Sequence, residues 1–167
     1  MTKTEFLHQM KDYTANAVKD VLLPVRRQKG DVAEPVPRAA DVHLMRLRKS
    51  SDAQKAAPYI IHQVITGKDY QPEGGKGEAL AVVRSIFCVF NDDGQEGALS
   101  LLGLMERFRV AVLEDVVIAN QFQLSLDGDG LEMLVYPDDT VPYYVGEMIS
   151  TWRLPGVKRK VGFFNGY

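Results

Sequence analysis

Several things are scarce in this chain, and each scarcity narrows its chemistry. Cys88 is the only cysteine in 167 residues, so no internal disulfide can form and a reducing compartment fits. No stretch approaches the ~20 consecutive apolar residues that span a bilayer. The opening residues from Met1 to His8 lack the apolar run of a secretory leader. A soluble protein made in the cytoplasm is therefore expected. Neither sign of charge dominates, since 20 Lys and Arg face 22 Asp and Glu for a net charge of −2; global attraction to nucleic acid is absent. No Gly-x-Ser-x-Gly elbow is available to start a hydrolase triad. His8, His43 and His62 fall on three separate predicted elements without ligand-spaced partners. Each is expected at the surface or on an edge strand.

What remains is an ordinary globular composition, 46% hydrophobic and 25% charged, in a length typical of one domain. Residues 1–167 are read as that domain. A chain of this size buries roughly 68–70% of its unfolded surface, so neither disulfide nor metal is needed to fold it. Phe6, Met10, Tyr13, Ala17 and Val21 recur at helical spacing, joined by Leu7, Thr14 and Val18. They predict an amphipathic helix over 3–22, ended by Pro24. Residues 24–41, basic and then rich in proline, predict an extended surface connection. The α/β core is expected over 42–155, with a basic and aromatic tail over 156–167.

Within that core, strands are predicted from Val42 to Leu47, from Tyr59 to Thr66, from Ala79 to Phe90 and from Tyr143 to Leu154. The loop 67–78, with four glycines, is expected to stay poorly ordered in an isolated subunit and to become a contact element on assembly. Asp93 with Glu96 three residues on forms a capping box. It opens a helix whose stripe is Ala98, Leu101, Met105, Phe108 and Val112, widened by Leu102 and Leu104. Phe122, Leu124 and Leu126, then Leu131, Met133 and Val135, alternate on either side of Asp127, Gly128, Asp129 and Gly130, which predicts a hairpin. The expected fold class is α+β: a mainly antiparallel sheet of four to six strands with two principal helices packed on it.

Four groups of residues invite a chemical reading, and two fail on spacing. The Gly-Gly-Lys-Gly run at 74–77 lacks the upstream glycine and the following hydroxyl of a phosphate loop, which leaves a mobile loop. Aligning Asp127, Asp129 and Gly130 on a calcium loop places Tyr136 where the bidentate glutamate belongs, so turn residues are the better account. Cys88, inside an apolar strand, has the setting of an inert thiol. Arg107 and Arg109 stand on the second helix beside Glu106; they make either a solvated face or contacts between subunits.

The order of elements carries one more signal. Ala57, Pro58, Tyr59, Ile60 and Ile61 open a strand. The stretch from Phe90 through Asn91, Asp92, Asp93, Gly94, Gln95, Glu96 and Gly97 leads into a helix bearing Leu104, Met105, Glu106, Arg107, Phe108 and Arg109. Pro142, Tyr143, Tyr144, Val145, Gly146, Glu147 and Met148 follow, then Trp152 and Pro155. From about Val42 to Lys160 this set resembles the tail terminator or tail completion proteins of long-tailed bacteriophages and prophages. The resemblance implies a small α/β subunit without catalytic residues, metal or cofactor. It implies assembly with itself into a cyclic homo-oligomer, a hexamer, that caps the tail tube and joins tail to head within the virion. The partners it implies are the tail tube protein and a head–tail connector, with no membrane and no specific nucleic-acid recognition. Arg107, Arg109, Tyr70, Lys76, Glu147 and Trp152 are the expected interface residues. A head completion or neck protein is the alternative of the same kind. A small metal-dependent enzyme using Asp127, Asp129 and a histidine is the alternative of another kind.

Overall fold

The structure, a computed structural model, describes residues 2–47, 56–71, 77–128, 130–136 and 141–157. Thr2 opens the first helix, α1 (Lys3–Val18), by accepting the Glu5 amide at 3.1 Å on its hydroxyl. α1 stops at Val18, not at 22. The Val21 amide turns back to the Val18 carbonyl, and Leu23 and Arg38 exchange both main-chain hydrogen bonds, at 2.9 and 3.0 Å. That bridge requires extended backbone at Leu23, which a continuing helix would forbid, and it closes the connection of 24–37 into a loop.

After the connection come β1 (Asp41–Leu44), β2 (Tyr59–Tyr70) and β3 (Glu78–Phe90). The second helix, α2 (Gly94–Asp115), is followed by β4 (Val117–Ile118), β5 (Phe122–Ser125), β6 (Glu132–Val135) and β7 (Tyr143–Pro155). The fold is α+β, with both helices on one face of a curled, mostly antiparallel sheet. Its lateral order is β1-β2-β3-β7-β5-β4, with β6 also on β7; only β1 and β2 pair in parallel. Six strands have four or more residues, within the expected range, and two-residue β4 makes a seventh.

The hairpin expected over 122–135 does not form. β5 and β6 run in the same direction along one edge of β7, with Leu124 opposite Trp152 and Met133 opposite Met148. Residues 126–128 and 130–131 lie between two pieces of one interrupted strand, with Gly128 and Gly130 at φ 71° and 63°. Alternation marks both segments as strand, but it does not say which strand lies alongside. The tight hairpin comes earlier, between β4 and β5. Ala119 and Asn120 both have positive φ there, 51° and 56°, as a primed turn requires, and the Gln121 amide reaches the Ile118 carbonyl at 3.1 Å.

A second correction concerns 67–78. Residues 67–70 are strand, with Gly67 opposite Ala81 and Tyr70 opposite Glu78; residues 72–76 lie outside the described residues. Side chains there are exposed, so burial does not order them. Main-chain pairing on β3 does. Ile65 is an extra residue between the pairs Val64↔Val83 and Thr66↔Val82, and this bulge turns the outer end of β2.

The main core lies between helices and sheet. Phe6 packs 5.0 Å from Phe122 and 5.5 Å from Trp152, while Phe108 lies 5.8 Å from Phe87, centroid to centroid. Trp152, Phe6, Phe87 and Phe108 are fully buried, and truncating any of them would cost about 3–5 kcal/mol. The buried stripe of α2 is Gly97, Leu101, Leu104, Met105, Phe108 and Val112; Ala98 and Leu102, expected within it, face outward. The rotation has a visible cause. Gly97 lies against the ring of Tyr144, where a Cβ would stand 2.1 Å from Cε2. A smaller apolar cluster, with Tyr59, Ile61, Cys88, Phe90 and Tyr143, occupies the sheet's other face.

Gly97 and Gly103 therefore predict opposite outcomes from one chemical change. Gly103 has nothing within 4 Å of its missing Cβ, so Gly103→Ala should stabilise by about 0.5–1 kcal/mol through helix propensity. Gly97→Ala gains the same propensity but forces the buried Tyr144 ring aside, and should destabilise by about 1–3 kcal/mol net. Urea unfolding of both variants measures the pair.

Candidate functional site

Arg107 serves the fold. Ala17 is one of the last four residues of α1, whose carbonyls have no partner within the helix. Arg107 reaches it from α2 with Nε at 3.1 Å and places Nη2 2.5 Å from Asp20 Oδ2. Arg109 instead grips Glu106 on its own helix, at 2.9 to 3.1 Å. The Arg109 hydrogen bond holds the Glu106 carboxyl below its ordinary range. This pair sits on the outward side of α2 with Leu99, Leu102 and Val110, which are 54%, 38% and 41% exposed. Both side chains remain partly exposed, 49% for Arg107 and 38% for Arg109.

The remaining expected interface residues scatter. Tyr70 stands at the exposed end of β2, its hydroxyl donating to Glu78 at 3.2 Å. Lys76 lies outside the described residues. Trp152 does not reach the surface: it is fully buried, with Nε1 donating to Ser150 Oγ at 2.9 Å. Its spacing from Glu147 follows from strand alternation, which sends odd and even residues of β7 to opposite faces. Glu147 lies on the face away from the helices and is 8% exposed. It is bonded to Arg84 across the β3–β7 ladder. That hydrogen bond raises the Arg84 pKa above its ordinary value, against burial. Arg84 was overlooked in the sequence, though it is the one charge between Ala79 and Phe90, and a lone charge in a central strand calls for a partner.

His62 corrects the expectation that all three histidines sit at a surface or edge. It is completely buried, held by Thr14 Oγ1 at 2.9 Å from Nε2 and by Ser85 Oγ at 2.8 Å from Nδ1. The Phe108 ring lies 5.5 Å away. Burial drives its pKa down to about 3, so the ring is neutral and links α1, β2 and β3. A signal existed, because Ile60, His62 and Val64 alternate onto one apolar face. Burial likewise pushes the Cys88 thiol up to about 11, opposed by a hydrogen bond with Tyr59; the thiol is buried within its strand. Asp127 is paired with Arg153 at 2.6 Å, and Asp129 lies outside the described residues. Among the described residues, no three His, Cys, Asp or Glu converge to hold a metal.

Two apolar features at opposite ends of the sheet were also unforeseen. Leu134, Val135 and Tyr136, consecutive at the β6 edge, are 39%, 40% and 47% exposed. At the β1 edge, a groove of about 500 Å³ lies between the start of α1 and the sheet, lined by Leu7, Leu44, Met45 and Val64 with Lys3, Thr4 and His8. Among the described residues no helix is long and apolar enough to cross a membrane. No protein-family model matches the chain, and no curated protein matches it.

Two predictions follow from the buried polar groups. His62 binds its proton far more weakly folded than unfolded, so its contribution to stability is complete above its ordinary pKa of 6.5 and is lost as pH falls toward about 3. Between about pH 6 and about pH 4 the unfolding free energy should drop more steeply in the wild type than in His62→Gln, by up to ~1.4 kcal/mol per pH unit. Arg84→Met leaves the Glu147 carboxylate without its cation and should cost about 2–4 kcal/mol. Arg84→Met combined with Glu147→Gln should recover most of that loss in chemical unfolding.

Proposed function

We propose that this chain is a structural subunit of a long-tailed phage virion, a tail terminator. As a ring it caps the finished tail tube, ends polymerisation and presents a surface to the head's connector. It acts through protein contacts alone, with further copies of itself, the tail tube protein and the connector as partners.

One observation supports the reading above the rest. The separate pieces of sequence that carry the resemblance lock onto each other. The Asn91 amide donates to the Pro142 carbonyl at 2.9 Å. Asp93 caps α2 by accepting the Gln95 and Glu96 amides at 3.0 and 2.9 Å. Tyr144 fills the space beside Gly97, and Met105 Sδ lies where a Cβ on Gly146 would meet it at 2.6 Å. Residues around 91–97 and 104–109 thus form one joint with 142–148. The pieces of sequence that carry the resemblance therefore lie together in one part of the fold.

Deleting the gene from the phage or prophage that carries it should yield tails of uncontrolled, excessive length by electron microscopy, and the purified protein should bind tail tubes. Tails of normal length that remain detached from heads, with binding to portal or adaptor instead, would assign the chain to the neck and overturn the terminator reading.

A further inference from the structure

We propose that copies of this chain join by extending the sheet, the β6 edge of one copy pairing antiparallel with the β1 edge of the next. The inference rests on the ring reading above and names the contact that would build it. Among the described residues, β1 has a strand on one side only, and β6 pairs only with β7. Both are short, which ordinarily blunts an edge, yet β6 presents Leu134, Val135 and Tyr136 half exposed in succession. Three exposed apolar residues in a row are the opposite of the charges that protect a solvent-facing edge.

Main-chain polarity fits the pairing. The Tyr136 amide bonds the Val145 carbonyl at 3.2 Å, so by antiparallel alternation the Val135 amide points away from β7. The Met45 amide bonds the His62 carbonyl at 2.8 Å, and the Leu44 amide points away from β2. β1 runs parallel to β2, and direction then reverses at β3, at β7 and at β6. Three reversals leave β6 running opposite to β1. Repeating the subunit by a rotation about an axis along the strands therefore brings these two edges together antiparallel, the more stable arrangement. Because the two edges differ, the interface is heterologous, and it closes into a ring when the rotation divides a full turn.

Side chains agree with that direction. Antiparallel pairing sets the start of β6, where Glu132 is exposed, against the end of β1, where Arg46 is exposed. Of the apolar β6 residues, Val135 shares the helix face with the groove beside Leu7, Leu44 and Met45, while Leu134, opposite Glu147, and Tyr136 lie on the other face. A second copy of this chain is thus complementary in strand polarity and in charge.

Native mass spectrometry and sedimentation of the full chain, alone and with tail tubes, test the contact. Val135→Pro removes an outward amide without touching the bonds to β7, and should abolish the oligomer while the melting temperature stays within about 5 °C of wild type. Glu132→Arg, a surface change that spares the fold, should weaken assembly at least tenfold, and Glu132→Arg with Arg46→Glu should restore it. Rings that form unchanged in both single variants would overturn the edge pairing while leaving the ring reading in place. A wild-type chain that stays monomeric alone and on tail tubes would overturn both.

Discussion

The ladder between β3 and β7 is the constraint on which the rest of this molecule depends. Each strand has 13 residues, and they pair without interruption from Glu78 opposite Pro155 to Phe90 opposite Tyr143. Both are flanked again on their outer sides, β3 by β2 and β7 by β5 and β6, so their main-chain groups are satisfied along almost the whole length. Short strands that could not stand alone borrow this template: β5 and β6 have four residues each and meet only on β7 and β4. The helices borrow its face. Gly97 and Gly146 mark where α2 comes closest, each missing Cβ leaving room for the side chain opposite.

Polar groups decide how α1 attaches to that template. Thr14 meets His62 inside the core, Lys3 pairs with Asp69 at 3.0 Å at one end, and Arg107 closes the other end at Ala17 and Asp20. Tyr13 adds a hydrogen bond to Asp115 at 2.7 Å, which with burial raises its hydroxyl pKa. The exposed pairs contribute little individually. The His62 node differs, because a neutral imidazole with both nitrogens satisfied is tolerated at the centre of the core only in that one arrangement. It adds a directional bond between α1 and the sheet to the packing of Phe6 and Met10.

For a protein proposed to act by assembling, the division between interior and edge matters most. Glu147 and Trp152 hold the subunit together: one completes an ion pair with Arg84, the other fills the space beneath Phe6. Surfaces available to partners lie elsewhere, along β6, around Met45 and Leu44, and on the outer side of α2 with Arg109. A residue that stands out in a sequence because it is large or charged is as easily spent on the interior as on a partner.

Local signals survived folding. Asp93 caps α2 through the Gln95 and Glu96 amides, although its own amide bonds Asn91 Oδ1 and not Glu96, and β3 and β7 begin and end within about a residue of their apolar runs. Those features depend on neighbours in the chain, so the sequence alone determined them. Tertiary structure decided what alternation and periodicity leave open. Both apolar runs of 122–135 lie along β7, because a long strand already paired with β3 offers a full set of main-chain partners that an isolated hairpin lacks. Residues 67–70, poor in apolar side chains, are ordered because β3 continues beside them. α2 turns Ala98 outward because Tyr144, nearly fifty residues later in the chain, requires the space at Gly97. In each case the deciding partner is remote in sequence, and only the folded chain brings it into contact.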